Sequence, residues 1–341
     1  MTKHILLVTV DTLRADYVAC YGKHDIETPN LDSVAAAGVR FDFHLTSIAA
    51  TLSSHCSLMT GCTPAVHGIT WNWMTQPCRR KTLARIGADA GYATVAVTSW
   101  RHFNDQAVFG FERAYCEGAF KCEETLADAT VRRAQAWLDD VDPTTPQLWW
   151  VSFIDPHEPD TCPDPFPKTY VGEVEFTDVW IGELLRRWDE RIGLDDTLVV
   201  ITADHGEDLN SHGVTRGHGT QFLTNLHVPL LMQAPGHIAP GTVVSELTRQ
   251  TDVLPTILDY CRLPMPYNVE GMSLRGLIEG TEADLRLVHH GHAFHDTDEP
   301  LPHYRSTLRN GEYAFHFGDD KNLEHIFDLR RDPEEETDIW P

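Results

Sequence analysis

The chain has no long hydrophobic run. No stretch approaches the roughly 18 apolar residues needed to span a bilayer, which excludes a helical membrane span. Its first residues, MTKHILLVTVDTLR, hold one apolar run of six, too short for a signal core and followed by no small-residue cleavage site. The eight cysteines (Cys20, Cys56, Cys62, Cys78, Cys116, Cys122, Cys162 and Cys261) form neither CxxC nor a paired zinc-ribbon spacing. That scatter reads as reduced thiols, so a cytoplasmic location is expected. Positive charge is scarce: 27 Lys and Arg face 51 Asp and Glu, a net charge of −24. With no basic field to hold phosphates, neither a nucleic-acid polymer nor an anionic membrane is the expected partner. There are no repeats and no low-complexity tract. If the substrate is itself an anion, a bound cation would have to supply the missing positive charge locally.

What the chain does have is apolar runs that end in metal-ligand residues. Ile5–Val10 leads into Asp11, Leu148–Ile154 into Asp155, Pro156 and His157, and Leu198–Ala203 into Asp204 and His205. In an open α/β sheet the ligand crevice lies beyond the carboxyl ends of the strands. Asp and His at three such ends suit one divalent cation, such as Zn, Mn or Mg, without thiolates.

Strand-like and helical runs alternate along most of the 341 residues. This predicts an α/β fold with a mostly parallel central sheet flanked by helices. Helices are expected near Leu31–Ala37, Ser53–Thr60, Thr82–Ala90, Leu126–Leu138, Gly172–Trp188 and Asp252–Tyr260, with further strands at Val39–His44, Ala93–Thr98 and His227–Gln233. The texture changes near residue 283. Asn310-Gly311 sits between the alternating runs of Arg305–Phe317, a hairpin signal. The expected division is a catalytic domain over 1–282 and a small C-terminal antiparallel subdomain over 283–341.

Each candidate residue also has a structural reading. Asp204 and His205 can reach one ion only at a sharp turn, which Gly206 permits, but such a pair also caps segments. Asp11 alone suits a turn. Pro156 holds Asp155 and His157 rigidly apart. His218 lies between Gly217 and Gly219, a setting for a bound group or an ordinary loop; His212 is weaker. Thr51 and Ser53 open a helix, where a hydroxyl gains from the positive dipole end or simply caps it.

These residues resemble the sulfatase branch of the alkaline phosphatase superfamily. The resemblance runs through Val10-Asp11-Thr12-Leu13-Arg14, Thr28-Pro29-Asn30, Ser57-Leu58-Met59-Thr60-Gly61 with Pro64 and His67-Gly68, His157-Glu158-Pro159, Asp204-His205-Gly206-Glu207, Val228-Pro229-Leu230, Asp252-Val253-Leu254-Pro255-Thr256, and Phe327-Asp328-Leu329 with Asp332-Pro333-Glu334. It implies an alkaline phosphatase-like fold. It departs at the nucleophile, where the family carries Cys or Ser within Cys-x-Pro-x-Arg and oxidises it to formylglycine. Here the position is Thr51, with Ser53 and His55 in place of Pro and Arg, so no formylglycine is expected. The family's active-site Lys is replaced by His218. Relatives with a Thr nucleophile are phosphoryl-transfer enzymes.

The resemblance therefore implies a metal-dependent hydrolase of phosphate esters, phosphodiesters or phosphonate monoesters, acting on a small anionic ester through Thr51. Sulfate-ester hydrolysis and phosphoryl transfer to an alcohol are the alternatives. Asp11, Thr51, Asp204 and His205 are the expected metal ligands, with Mn or Zn favoured over Mg or Ca. Asp155, His157 and His218 form a second candidate set, so one or two ions per chain are expected. With one ion, His157 and His218 would instead contact the substrate and protonate the leaving group. His55, Asn72 and His67 are the expected substrate-binding residues. Trp71, Trp73, Trp100 and Phe103 are candidates for an aromatic wall, within the loops Trp71–Arg80, Trp100–Glu124 and Asp160–Thr169. The cluster His289, His290, His292 and His295 has no assigned role, and a homo-oligomer is left open.

Overall fold

Strand β1 (His4–Val10) is buried along its whole length, because a continuous Ile-Leu-Val run has no polar face to offer water. The computed structural model describes residues 2–74, 78, 80–100, 109–115, 121, 126–285, 287–292, 305–318 and 322–340. The other main-sheet strands are β2 (Val39–Leu45), β3 (Ala93–Thr98), β4 (Arg113–Tyr115), β5 (Gln147–Phe153), β6 (Thr197–Ala203), β9 (Leu230–Gln233) and β10 (Thr242–Arg249). A small hairpin, β7 (Asp208–Ser211) with β8 (Val214–Gly217), follows β6. The eight strands lie in the order β10-β2-β9-β6-β1-β5-β3-β4. All neighbours pair in parallel except β9, which runs antiparallel to both β2 and β6.

Period-two alternation splits the strands between two cores. Ile5, Leu7, Leu148, Trp150, Leu198 and Val200 face one side, packed with helices α2 (Thr51–Thr60), α3 (Leu83–Asp89) and α6 (Val253–Cys261). Leu6, Val8, Trp149, Val151, Val199 and Ile201 face the other, against α1 (Pro29–Ala37), α4 (Ala127–Leu138) and α5 (Tyr170–Arg191). Each fully buried Leu, Ile or Val contributes about 1.5–3 kcal/mol, so the two faces together fix the sheet in register.

Three helices borrow their N-terminal caps. The residue before α4 is Leu126, which offers no acceptor, and Asp155 Oδ1 accepts from Ala127 N at 2.8 Å instead. Ala50 precedes α2, and Asn72 Oδ1 accepts from Leu52 N at 2.9 Å. For α1 the acceptor is Asp178 of α5, which takes Leu31 N at 2.8 Å and Asn30 N at 3.1 Å. Each cap ties a helix start to a distant segment.

The C-terminal part forms the antiparallel sheet β11 (His289–His292), β12 (Ser306–Arg309), β13 (Tyr313–Phe317) and β14 (Leu323–Asp328). The expected hairpin at Asn310-Gly311 joins β12 to β13, with Gly311 at φ 84°. This sheet is no loose appendage. His292 N donates to Ser47 O at 2.9 Å and His289 Nε2 to Thr46 O at 2.7 Å, so β11 holds the segment that leads into α2. His295 lies outside the described residues. Among the described residues no helix is long and apolar enough to cross a membrane.

A buried ion pair fastens the tail. Arg309 Nη2 donates to Glu335 Oε1 at 2.6 Å, with no side-chain exposure on either partner. Glu335 Oε2 accepts from Leu223 N at 2.7 Å. Burial raises the Glu335 pKa, but Arg309, followed by His316 and the Leu223 amide, outweighs it and holds the group at about 2, below its ordinary 4.5. The pair's contribution is thus fully present above pH 4.5 and is lost as pH falls toward 2; the shift corresponds to about 3 kcal/mol. Glu335→Gln leaves Arg309 buried without a counter-charge. It is expected to cost about 3–5 kcal/mol in urea unfolding at pH 7 and to flatten the acid limb of the stability curve.

Candidate active site

Register places the two strand-end carboxylates side by side. Val10 pairs with Ala203 of β6 and with Phe153 of β5, so Asp11 and Asp204 each leave the sheet one residue past a paired position. Among the described residues, one set of His, Cys, Asp or Glu side chains can hold a metal: Asp11, Asp204 and His205, whose ligand atoms all lie within 4.8 Å of one another. His205 Nε2 is 3.7 Å from Asp11 Oδ1 and 3.5 Å from Asp204 Oδ2.

The atoms around this space are spoken for on one side and bare on the other. Asp204 Oδ1 accepts from His205 N at 2.8 Å and Thr12 N at 3.2 Å. Asp204 Oδ2 and Asp11 Oδ1 are buried and meet no donor. Burial and the neighbouring Asp204 push the Asp11 pKa well above its ordinary range. His205 Nδ1 faces Gly206 O at 2.9 Å, and a carbonyl only accepts, so that nitrogen carries the proton. Burial, followed by His218, lowers the His205 pKa to about 3, which keeps the ring neutral with its Nε2 lone pair facing the carboxylates. Two carboxylate oxygens and one imidazole lone pair converge without a donor of their own. A divalent cation fits that donor set, and the Nδ1–H···O=C bond is the outer contact that orients such a ligand.

Thr51 opens α2 on the same space. It is 4 % exposed, and its Oγ1 lies 3.4 Å from His205 Nε2. The helix start is pinned from below by a directed chain. Trp150 Nε1 donates to Thr9 Oγ1 at 2.9 Å, Thr9 Oγ1 donates to His55 Nε2 at 3.1 Å, and His55 Nδ1 donates to Thr51 O at 2.7 Å. Ser54 Oγ also donates to Asp204 O at 2.6 Å, joining the helix directly to the carboxylate strand end.

Several sequence candidates are held by contacts of their own. His67, expected to bind substrate, uses both ring nitrogens internally: Ile69 N donates to Nδ1 at 3.1 Å, and Nε2 donates to Ser57 Oγ at 3.0 Å. Asn72 Oδ1 caps α2, and His55, fully buried beneath Thr51, brings its Nδ1 to 3.8 Å from Asp204 Oδ2. Asp155 caps α4 and does not join His157 and His218 in a ligand set. Its carboxyl is pushed up to about 7 by burial. Gly206 is required by close approach, since a Cβ there would lie 2.2 Å from Thr224 O. Trp71 packs on Ile48 and Ala50, Trp100 is in the core, Trp73 is 48 % exposed, and Phe103 lies outside the described residues.

His157 and His218 do flank the site. The His218 ring stacks on His205 at 4.6 Å, and His157 meets His218 edge-on at 5.1 Å. Burial and the neighbouring His218 hold the His157 pKa down at about 4. Glu207 Oε1 lies 3.9 Å from His218 Nδ1. Burial alone would raise the Glu207 pKa, but His218 and Arg216 turn it downward.

Three residues without a role in the sequence reading shape this site. Thr12, at φ 59°, adopts a backbone that β-branched residues rarely occupy, and its amide is thereby one of the two donors to Asp204 Oδ1. Buried Lys121 Nζ donates to Asp155 O and His157 O and pairs with Glu173 at 3.2 Å, fixing the His157 loop. Arg216 spans both loops, donating to Glu207 Oε2 at 3.1 Å, Asp160 Oδ2 at 2.7 Å and Pro156 O at 3.1 Å. A signal for Arg216 was present in its place two residues before His218. Arg216→Ala should lower kcat by about 10²-fold, because the two histidine loops lose their common tie. Arg216→Lys should rescue little, since an ammonium cannot serve three acceptors in a plane. Unchanged kinetics in both variants would remove Arg216 from the site's support.

A mostly parallel α/β sheet with a carboxylate–imidazole pocket at its strand ends, facing a helix-borne hydroxyl, is an arrangement suited to an ester hydrolase. The chain belongs to the Sulfatase family, whose model matches residues 3–262. A second model, described as N-sulphoglucosamine sulphohydrolase, C-terminal, matches residues 220–341. An arylsulfatase of Clostridium perfringens is 23% identical over 99% of this chain and 90% of its own length. The phosphonate monoester hydrolase of Agrobacterium radiobacter has the same fold, with a TM-score of 0.84 at 20% identity, covering 99% of this chain and 91% of that one. So does a protein solved with its substrate D-glucosamine-2-N,6-O-disulfate, with a TM-score of 0.85 at 18% identity, covering 99% and 93%.

Proposed function

We propose that this chain hydrolyses phosphate esters, with phosphodiesters or phosphonate monoesters as the favoured substrates, through a Thr51 nucleophile. The observation that carries the reading is the Thr51 hydroxyl 3.4 Å from His205 Nε2, beside the two carboxylate oxygens that lack donors. Asp11, Asp204 and His205 would hold a divalent cation. When bound, it would supply the positive charge that lowers the cost of a Thr51 alkoxide and of an anionic transition state. An imidazole beside two carboxylates favours Mn or Zn over the all-oxygen preference of Mg and Ca.

The remaining work falls to the side chains. Thr51 attacks phosphorus in line; its hydroxyl proton passes to solvent, and its oxygen forms the new bond as the bond to the leaving oxygen breaks. His218, whose Nδ1 lies 3.9 Å from Glu207 Oε1, gives a proton to the leaving oxygen. His218 then takes back a proton from the water that attacks phosphothreonine, the bond from phosphorus to the Thr51 oxygen breaks, and that oxygen recovers a proton from solvent, which restores the hydroxyl. The start of α2 presents its positive dipole end to the anion. Sulfate-ester hydrolysis is the second reading, favoured by the arylsulfatase relatives. Against it stands the side chain at position 51, since a sulfated threonine has no aldehyde hydrate through which to collapse. The test is a p-nitrophenyl series (bis-phosphate, phosphonate, monophosphate and sulfate) with Mn, Zn, Mg or Ca. Fastest turnover of the bis-phosphate or phosphonate supports the reading. Fastest turnover of the sulfate overturns it, and a product that appears only with added alcohol would make the enzyme a transferase.

A further inference from the structure

Two thiols meet directly behind the Thr51 helix. Cys56 Sγ, on α2, and Cys78 Sγ lie 2.7 Å apart, and the residues are 0 % and 5 % exposed. That separation is about 0.7 Å longer than a covalent S–S bond. Other buried thiols have partners of their own: Cys261 meets Thr2 Oγ1 at 3.3 Å, Cys162 donates to Pro167 O at 3.2 Å, and Cys62 donates to Thr60 O and Asn268 O at 3.5 Å. Among the described residues, Cys56 and Cys78 are the pair in sulfur–sulfur contact.

We propose that Cys56 and Cys78 are a dithiol–disulfide pair, a modification site that ties the nucleophile helix to the segment carrying its cap. The two lie 22 residues apart. Between them are Asn72, which accepts from Leu52 N at the start of α2, and Trp71, which packs on Ile48 and Ala50 just before it. A bond there closes the loop on the face of α2 that packs into the core, away from Thr51 Oγ1. It removes freedom from the unfolded chain and from the cap segment while leaving the catalytic atoms untouched. This inference stands apart from the ester-hydrolase reading, because it uses none of that reading's reacting groups.

The chemistry balances with a small-molecule disulfide as oxidant. Cys78, the more exposed thiol, attacks the oxidant as thiolate and expels one oxidant thiol. Cys56 then attacks the Cys78 sulfur, forming the internal bond and expelling the second oxidant thiol. Two protons leave the protein, and the oxidant accepts two electrons. Burial and the adjoining Cys78 raise the Cys56 pKa well above its ordinary value, so exchange in the folded chain is slow.

The test uses the full chain, incubated with oxidised glutathione, then unfolded without reductant and alkylated. Peptide mapping should find Cys56 linked to Cys78, with six of the eight cysteines still alkylated. Dithiothreitol should restore the full count. The oxidised chain should melt about 5 °C higher than the reduced one. Cys78→Ser should show no oxidation-dependent shift in melting. Peptide mapping of the unaltered chain decides the matter even if that variant folds poorly. Eight alkylated cysteines after oxidation, or linkage of either residue to a different cysteine, overturns the proposal.

Discussion

Replacing Thr51 by alanine is expected to lower kcat by about 10⁴–10⁶-fold, the usual scale for removing a nucleophile that works with its neighbours as a unit. The fold should survive. Thr51 sits in the first turn of α2, and its carbonyl and the Ser54 and Asn72 contacts, which hold that turn, do not use its hydroxyl. A stability loss beyond about 1–2 kcal/mol is therefore not expected. Thr51→Ser is the informative companion. Serine keeps the oxygen but frees χ1, which β-branching restricts in threonine, so kcat should fall by about tenfold at most. Acid quenching during turnover should trap a phosphorylated peptide containing residue 51 in the unaltered and Ser enzymes, and none in the Ala variant. An Ala variant of full activity would take Thr51 out of the chemistry while leaving the metal pocket to be explained separately.

The sequence displayed the pocket better than its surroundings, for a physical reason. Strands β1, β5 and β6 are buried on both faces, so they appear as unbroken apolar runs whose ends are easy to see. The residues just beyond those ends then stand out. What the pattern does not encode is where each side chain goes after leaving the strand. Asp11 and Asp204 turn toward one another, whereas Asp155, with the same sequence signature, turns to cap α4. The clue lay elsewhere, in helices that begin after Leu126 or Ala50 and so lack an acceptor of their own. A helix start without Ser, Thr, Asp or Asn needs a donated cap, and Asp155 and Asn72 fill that need.

Other elements were hidden by their position. Strand β10 lies at the sheet edge, with Ser245 and Glu246 within it and a register shift between Val244 and Leu247, so its pattern is not a clean apolar run. The antiparallel setting of β9 is a matter of topology, which apolar content alone does not reveal. His67, expected to bind substrate, has both ring nitrogens engaged by Ile69 N and Ser57 Oγ, contacts that its place after the α2 motif does not announce. Its neutral ring is instead part of the packing, with burial lowering its pKa to about 3.

The second large effect concerns Asp204, where one substitution should move stability and activity in opposite directions. Asp204→Asn keeps Oδ1, which accepts from His205 N and Thr12 N, so the strand end should hold its shape. It replaces the bare Oδ2 with an amide nitrogen 3.5 Å from the position of His205 Nε2, and it removes one of two adjoining buried carboxylates. In chelator, the variant should therefore be more stable than the unaltered chain, by about 1–3 kcal/mol, because an unpaired buried carboxylate is costly. With a divalent ion present the order should reverse. A cation that binds only the folded state stabilises the unaltered chain by about 2.7 kcal/mol at a hundredfold excess over Kd. The variant, having lost an anionic ligand, should gain little. Urea unfolding in EDTA and in Mn, with metal content by elemental analysis and turnover on the same samples, reads all of these quantities. If Asp204→Asn binds metal as the unaltered chain does, or is the less stable of the two in EDTA, then the bare oxygens of Asp11 and Asp204 are not a cation site, and the source of positive charge for an anionic substrate must be sought in the histidines and the α2 terminus alone.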